Sequence, residues 1–263
     1  MYSKIIAAME ECGEIVLSAR DITGGIIKKE GDANYVTNYD IKVQEILIEE
    51  LKKALPEAKY IAEEGMNSET SHTKLNEGYT FIIDPIDGTT NFIKGFDHSG
   101  ISVALAYNAE IIYGAVYNPY THQMYTAKRG CGAYINGKRI TVHSGGLAEG
   151  IVSFGTTPYH RERTAETMYM VGEFMKIAMD TRRTGSAALD LCDVACQRSN
   201  LFFELELQPW DYAAGSLIIT EAGGVVTTIE NTALRFDRPC SILAGTPAAH
   251  KHALKIISDK NIL

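Results

Sequence analysis

Apolar residues recur along this chain in two rhythms, one belonging to helices and one to strands. Ile5, Ile6, Met9, Val16 and Leu17 fall at helical spacing, which predicts an amphipathic helix over 2–20 ended by Gly24-Gly25. A short extended piece, GIIKKEGDANYV, carries a turn at Gly31-Asp32. Thr37 or Asn38 then caps a second helix, which runs through Leu55, stops before Pro56 and buries Ile41, Val43, Ile46, Leu47 and Leu51. KYIAEEG and YTFIIDP read as strands, each ending in carboxylates, with a polar loop over 66–78 between them.

From Gly100 to Ile140 the text becomes a meander of short strands, ISVALAYN, EIIYGAVYN, QMYTAKRG and GAYINGKRI, separated by Asn, Gly and Pro turns, which predicts an antiparallel sheet. Glycines cluster in GKRITVHSGGLAEGI, the best junction between two lobes, and a new strand, IVSFG, begins after it. The second half alternates: a helix near 160–178, a strand near 180–184, a helix over 187–198, strand LFFELEL, a helix over 210–222, strands GVVTT and SILAG, and a last helix after Pro247. Such alternation points to a layered α/β arrangement.

A chain of 263 residues can bury a proper core. Its longest apolar runs, GISVALAY and FIIDPI, fall short of the roughly 20 residues a membrane span needs, so no membrane partner is expected. Glu10, Glu11 and Glu14 interrupt the N-terminal segment where a secretion signal would need its apolar core. Acidic residues outnumber Lys plus Arg by 33 to 25, the net charge is −8 and no basic block occurs, so nucleic acid is not an expected partner. The five cysteines are odd in number and scattered, as expected of reduced thiols in a cytoplasmic protein. Cys192 and Cys196 share a helix face but lack a His or Cys partner at zinc-site spacing, which favours a core role.

Acidic residues stand where core elements begin or end: Asp40 on the second helix, Glu63-Glu64 after a strand, Asp84 and Asp87 in DPIDGTT, and Asp211 beside Trp210. Each is ordinary alone, as a cap or a solvated acid. Together they suggest a divalent cation, because hard ions such as Mg²⁺ take carboxylate oxygens and leave positions for water and phosphate. Two such ions roughly 3.5–4 Å apart activate a water on one side and steady a leaving oxygen on the other. Asp84 and Asp87 flank a proline-directed turn, and the Ile86 carbonyl can join them. Gly88 permits close approach of an anion, and a short helix opened by Thr89 and Thr90 would turn its N–H groups toward phosphate.

The trio EEG (63–65), DPIDGTTNF (84–92) and WDYAAG (210–215), in that order, resembles the inositol monophosphatase family of Mg²⁺-dependent, lithium-sensitive phosphatases. VTNYD, GCGAYINGK and TEAGG extend the resemblance over nearly the whole chain. It implies an α/β (α+β layered) fold of alternating helix and sheet layers. A 1–142 N-terminal α+β lobe carries the first acids and the antiparallel sheet, and a 143–263 C-terminal α/β lobe carries substrate contacts and the last acid, with the site between them. It implies two to three Mg²⁺ ions: Glu63, Asp84 and the Ile86 carbonyl on one, Asp84, Asp87 and Asp211 on a second, and a weaker third near Glu63. Thr89 paired with Asp40 would help activate the attacking water, with Glu63 and Asp87 also in the catalytic set. Gly88 and Thr89 would cradle phosphate, and Lys29 would lie near it. Ala187 and Glu204 would contact hydroxyls of a sugar or inositol, beside Asp87 and Asp211. Trp210, the single tryptophan, would pack to fix Asp211.

The chain departs from the family after Phe92, where GFDHSGIS puts Asp97 and Ser99 at positions usually held by proline and an aromatic residue, in a loop that borders the family's site. His98 reads as a surface or turn histidine. The expected function is hydrolysis of a small phosphate monoester, inositol monophosphate or a related sugar phosphate, by metal-activated water. A fructose-1,6-bisphosphatase or a broad sugar or nucleotide phosphatase is the alternative, and a regulatory binding protein on the same fold is the non-enzyme alternative. A homodimer is expected, with the apolar meander as one possible interface.

Overall fold

Two N-terminal helices lay their apolar stripes on one face of a large sheet. In the computed structural model, which describes residues 1–20, 22, 26–28, 35–64, 75–158 and 160–260, the chain begins with α1 (Tyr2–Ser18), the antiparallel ribbon of β1 (Ile26–Lys28) and β2 (Tyr35–Thr37), and α2 (Asn38–Ala54). Next come β3 (Lys59–Ala62), β4 (Tyr79–Asp87), the short α3 (Thr89–Lys94), β5 (Gly100–Tyr107), β6 (Glu110–Asn118), β7 (Gln123–Lys128), β8 (Ala133–Ile135) and β9 (Lys138–Ile140). The second half holds β10 (Ile151–Phe154), α4 (Thr164–Met175), β11 (Asp180–Arg182), α5 (Ala187–Ala195), β12 (Leu201–Leu207), α6 (Pro209–Glu221), β13 (Val225–Thr227), β14 (Cys240–Gly245) and α7 (Pro247–Asp259). Gly24-Gly25, Lys29, the Gly31-Asp32 turn and most of the polar 66–78 loop lie outside the described residues.

Strand alternation decides how these elements stack. One sheet has the order β3-β4-β5-β6-β7-β8-β9, with β3 parallel to β4 and the remaining pairs antiparallel. Phe81, Ile83, Val103, Leu105 and Ala115 point to one face, where α1 (Ile5, Met9, Val16) and α2 (Val43, Leu47, Leu51) cover them. Ile82, Ala104, Ala106 and Val116 point to the other, where α5 and α6 lie. The second sheet, β11-β10-β12-β14-β13, closes the far side of these two helices with Phe202, Ile242 and Ala244. Its outer face, with Leu201, Phe203, Leu205 and Leu243, is covered by α4 and α7. The result is five layers: helices, sheet, helices, sheet, helices.

Helix α6 lies between two sheets, so it has no solvent face over most of its length; Tyr212 through Ile219 are all buried. Gly114 of β6 lets it come close, since a Cβ there would stand 2.7 Å from the Ala214 carbonyl oxygen. That approach carries Asp211, in the first turn of α6, to the acids of β4.

Some expectations shift in detail. GAYINGKRI is not one strand but the hairpin β8–β9, because Asn136 and Gly137 both take positive φ, the pairing that a tight two-residue turn requires. The helix expected near 160–178 opens as a 3₁₀ turn at Arg161–Arg163 and ends at Met175. The helix expected over 187–198 ends at Ala195, with Gln197 at φ 72. Over β4 to β6, α1 and α2 cover one face of this sheet and α5 and α6 the other. Among the described residues the most exposed large apolar side chains are Phe96, Met175 and Met179. Among the described residues no helix is long and apolar enough to cross a membrane.

Candidate functional site

Residues three apart in a regular strand face opposite sides of a sheet. Asp84 and Asp87 escape this rule through a bulge. Asp84 pairs with Ser102 and Asp87 with Gly100, three residues against two, so the extra residue brings both carboxylates to one side. Within the bulge the Ile86 N–H donates to Asp84 Oδ1 at 3.0 Å. Gly88 follows at φ 91, and a Cβ there would stand 2.9 Å from the Gly185 carbonyl oxygen, so glycine is needed both for the turn and for the contact with the segment leading into α5.

Helix N-termini converge on the acids. Asp40 sits three residues after the N-cap of α2; its Oδ2 accepts from the Thr37 N–H at 2.9 Å and from the Thr37 hydroxyl, while Oδ1 lies 3.3 Å from Thr89 Oγ1. Asp211 holds the same place on α6, with Oδ2 accepting from the Gln208 N–H at 2.8 Å. Asp87 Oδ2 accepts from the Ser186 hydroxyl and from the Ala188 N–H at 2.9 Å, at the start of α5. Each of these carboxylates thus commits one oxygen to the positive end of a helix, which favours its ionised form.

One cleft is lined by Glu63, Asp84, Ile86, Asp87, Gly88, Thr89, Ala187, Glu204 and Asp211, nine of the residues expected from the sequence. Oxygens of Asp84, Asp87 and Asp211 lie within 4.8 Å of one another. Glu63, just past β3, borders the cleft but stands outside that tight trio. Asp40 reaches the cleft through Thr89, whose hydroxyl also lies 3.2 Å from the Ile86 carbonyl oxygen. Lys29 lies outside the described residues. Glu204 on β12 is buried, and its Oε1 accepts from the Thr157 N–H at 2.7 Å. Thr157 takes φ 44, a costly conformation for a β-branched residue, and so presents that N–H.

The sequence reading missed several lining residues. Among the described residues Arg183 is the single Lys or Arg of the cleft wall, Ser186 anchors Asp87, and Asp190 is buried there with Thr184 donating to its Oδ2 at 2.7 Å. Two arginines in TRRTGSAALD carry no periodicity that marks one of them, but the Gly-Ser before a helix was a readable capping signal. A groove continues from the cleft past Thr157, His160, Glu206, Gln208 and Trp210, sharing Glu63, Glu204 and Asp211. Both nitrogens of His160 face carboxylates at 3.0 Å, Glu162 and Glu206. Trp210 is partly buried against the central core, and its carbonyl accepts from the Ser102 hydroxyl at 3.2 Å.

Electrostatics mark this cleft as built for positive charge. Burial, then Glu63, Asp87, Asp211 and Asp40, push the Asp84 carboxyl well above its ordinary range. Burial lifts Asp87 to about 6 against the Ser186 and Ala188 hydrogen bonds, and burial followed by the charge of Asp87 raises Asp211. Burial also brings Glu204 to about 7. So many enclosed carboxylates, with one arginine beside them among the described residues, resist full ionisation together unless further positive charge joins them. The donor set, all hard oxygen, fits Mg²⁺ and not a thiolate-seeking metal.

The loop after α3 differs from what a family proline would allow: Asp97 has φ 52, out of proline's reach. Ser99 is buried, with its hydroxyl 3.3 Å from the Tyr120 hydroxyl. His98 is half-buried in the turn, and burial pushes its pKa down. Cys192 is buried in α5 and Cys196 partly so, both as free thiols.

Comparison with known proteins agrees with this arrangement. The sequence profile of the inositol monophosphatase family matches residues 1–261. The chain is 38% identical over 232 residues to "Nus factor SuhB" of Vibrio cholerae, covering 88% of this chain and 85% of that protein. It is 40% identical over 210 residues to "Inositol-1-monophosphatase" of Rhizobium meliloti, covering 78% and 76%. Among solved structures, a Thermotoga maritima IMPase superposes with a TM-score of 0.85 at 28% identity, over 98% of this chain and 97% of that one. The layered fold, the acid cleft and these likenesses together identify the chain as a member of the inositol monophosphatase family.

Proposed function

We propose that this protein is a Mg²⁺-dependent phosphomonoesterase acting on inositol monophosphate or a related sugar phosphate. The observation that carries the reading is the trio Asp84, Asp87 and Asp211, with oxygens within 4.8 Å of one another, beside the Gly88–Thr89 helix start. Glu63, Asp84, the Ile86 carbonyl, Asp87 and Asp211 would hold two to three Mg²⁺ ions. When bound there, Mg²⁺ supplies a water of lowered pKa and positive charge for the phosphoryl and leaving oxygens.

The chain's own residues do the rest. The first N–H groups of α3 lack partners within the helix, so Gly88, Thr89 and Thr90 offer donors to a phosphate. Thr89 Oγ1, 3.3 Å from Asp40 Oδ1, takes a proton from the water that attacks phosphorus in line as its own proton passes to Asp40. Arg183, on the cleft wall, offsets charge near Asp87 and Glu204. Ala187 and Glu204 receive the hydroxyls of the alcohol, and Glu204 is held in place for this by the Thr157 N–H. The groove beyond carries Glu204 and Glu206, and its histidine faces two carboxylates. A second phosphate in that groove would meet negative charge, which favours monophosphates of neutral alcohols over fructose 1,6-bisphosphate.

Phosphate release from inositol 1-phosphate, a sugar monophosphate, fructose 1,6-bisphosphate and 2′-AMP, with Mg²⁺ or EDTA, tests the reading. Mg²⁺-dependent turnover led by a monophosphate is expected. A chain that hydrolyses none of them refutes it. A second reading, a regulatory binding role on the same fold, draws support from the name "Nus factor SuhB" borne by several relatives. In that case Asp87→Asn abolishes turnover but leaves partner capture intact. We further propose a cytoplasmic homodimer, with Phe96, Met175 and Met179, the most exposed large apolar side chains among the described residues, available for association.

A further inference from the structure

Asp87 belongs to the end of β4, yet the groups that hold it come from the start of α5, 99 positions further along the chain in the case of Ser186. Ser186 is buried at 1% exposure. Its hydroxyl has one proton to give. Its acceptor side is engaged, because the Leu189 N–H donates to Oγ at 3.4 Å as the N-cap contact of α5. The proton therefore goes to Asp87 Oδ2, which also accepts from the Ala188 N–H at 2.9 Å. A carboxylate torsion is broad and nearly free when nothing holds it. Pinning one oxygen fixes the direction of the other.

We propose that Ser186 is a positioning residue for metal binding: its hydroxyl donates to Asp87 Oδ2 and so turns Oδ1 toward the oxygens of Asp84 and Asp211. This inference rests on the metal-dependent reading above. Hydrogen bonds to the back of a ligating carboxylate are a recurring means of setting metal affinity, and their loss weakens binding by about 10- to 100-fold. Ser186 differs from an ordinary cap in one measurable respect. A cap lost without consequence for Asp87 lowers stability equally with and without the ion, whereas a lost positioning contact lowers the ion's own contribution.

The test is titration calorimetry of Mg²⁺ into the metal-free full chain, with thermal unfolding in EDTA and in saturating Mg²⁺. Ser186→Gly removes the hydroxyl while keeping a residue acceptable at an N-cap; Ser186→Ala removes both, and Ser186→Thr keeps the hydroxyl. Ser186→Gly and Ser186→Ala are expected to bind Mg²⁺ about tenfold or more weakly and to show a smaller Mg²⁺-induced rise in Tm, with Ser186→Thr within about threefold of wild type. Wild-type affinity in Ser186→Gly, or a Ser186→Thr protein as weak as Ser186→Gly, overturns the inference. A wild-type protein that binds no Mg²⁺ overturns the proposed function and this inference with it. Mg²⁺ binding by wild type that the variants retain overturns this inference alone.

Discussion

Replacing Asp87 by Asn should make the metal-free protein more stable and the metal-bound protein less so. In the absence of cations the Asp87 carboxyl is pushed up to about 6 from an ordinary 3.8, chiefly by burial. The folded form therefore holds its proton to higher pH than the unfolded form. Stability attributable to this group is greatest below the unfolded pKa and declines as pH rises from about 4 to about 6, after which the full penalty remains. The rise from 3.8 to about 6 corresponds to about 3 kcal/mol. Asn escapes that penalty because it is neutral at every pH. Its amide oxygen can still accept from Ser186 and Ala188, less strongly than a carboxylate by about 1 kcal/mol, and its NH₂ then points at the remaining acids as a donor. The net gain is about 2 kcal/mol in EDTA above neutral pH, or about 4–8 °C in Tm. Below about pH 4 the gain should vanish. Saturating Mg²⁺ should reverse the order, since an ion at about a hundred times its Kd adds about 2.7 kcal/mol to wild type and the amide repels it. Differential scanning calorimetry in EDTA and in Mg²⁺, across pH, reads all of this. An Asp87→Asn protein that melts below wild type in EDTA, or gains as much from Mg²⁺ as wild type does, refutes the reasoning.

Two other perturbations follow from particular contacts. Glu204, raised to about 7 by burial, should ionise near neutral pH, so KM for inositol 1-phosphate should fall as pH rises through about 7, and Glu204→Gln should flatten that limb. The same raised pKa means that the metal-free protein loses stability as pH climbs from about 4.5 to about 7; the pH–KM profile and urea unfolding at several pH values check the pair, and a wild-type KM indifferent to pH there sinks the role. Gly114→Ala puts a Cβ 2.7 Å from the Ala214 carbonyl and must push α6 off the sheet, costing about 1–3 kcal/mol in urea unfolding and weakening Mg²⁺ binding as Asp211 moves; unchanged stability would contradict this packing account.

Local chemistry made much of the molecule legible in its sequence. The helical spacing of Ile5, Met9 and Val16, the Thr37 cap with its aspartate three residues on, and the alternating runs of the meander each encode their structure within a few neighbours, so α1, α2 and β4 to β7 stand close to where the text puts them. DPIDGTT likewise carries much of its own turn, because the left-handed glycine and the short helix after it lie within a few neighbours, while the bulge is made against the next strand in the chain, β5. Whether that turn faces other acids is a different matter. Asp211 meets Asp84 because α6 is packed between two sheets, with Gly114 allowing its backbone to come close to β6, and no periodicity reports a distance between faces. Ser186 on Asp87, Thr157 on Glu204 and Arg183 on the cleft wall are contacts between segments 47 or more positions apart, or a placement that one of two adjacent arginines could equally have taken. The sequence alone determined which oxygens were on offer; tertiary packing decided which of them are held from behind, and in which direction, because orienting a carboxylate requires a donor that only the folded chain brings within reach.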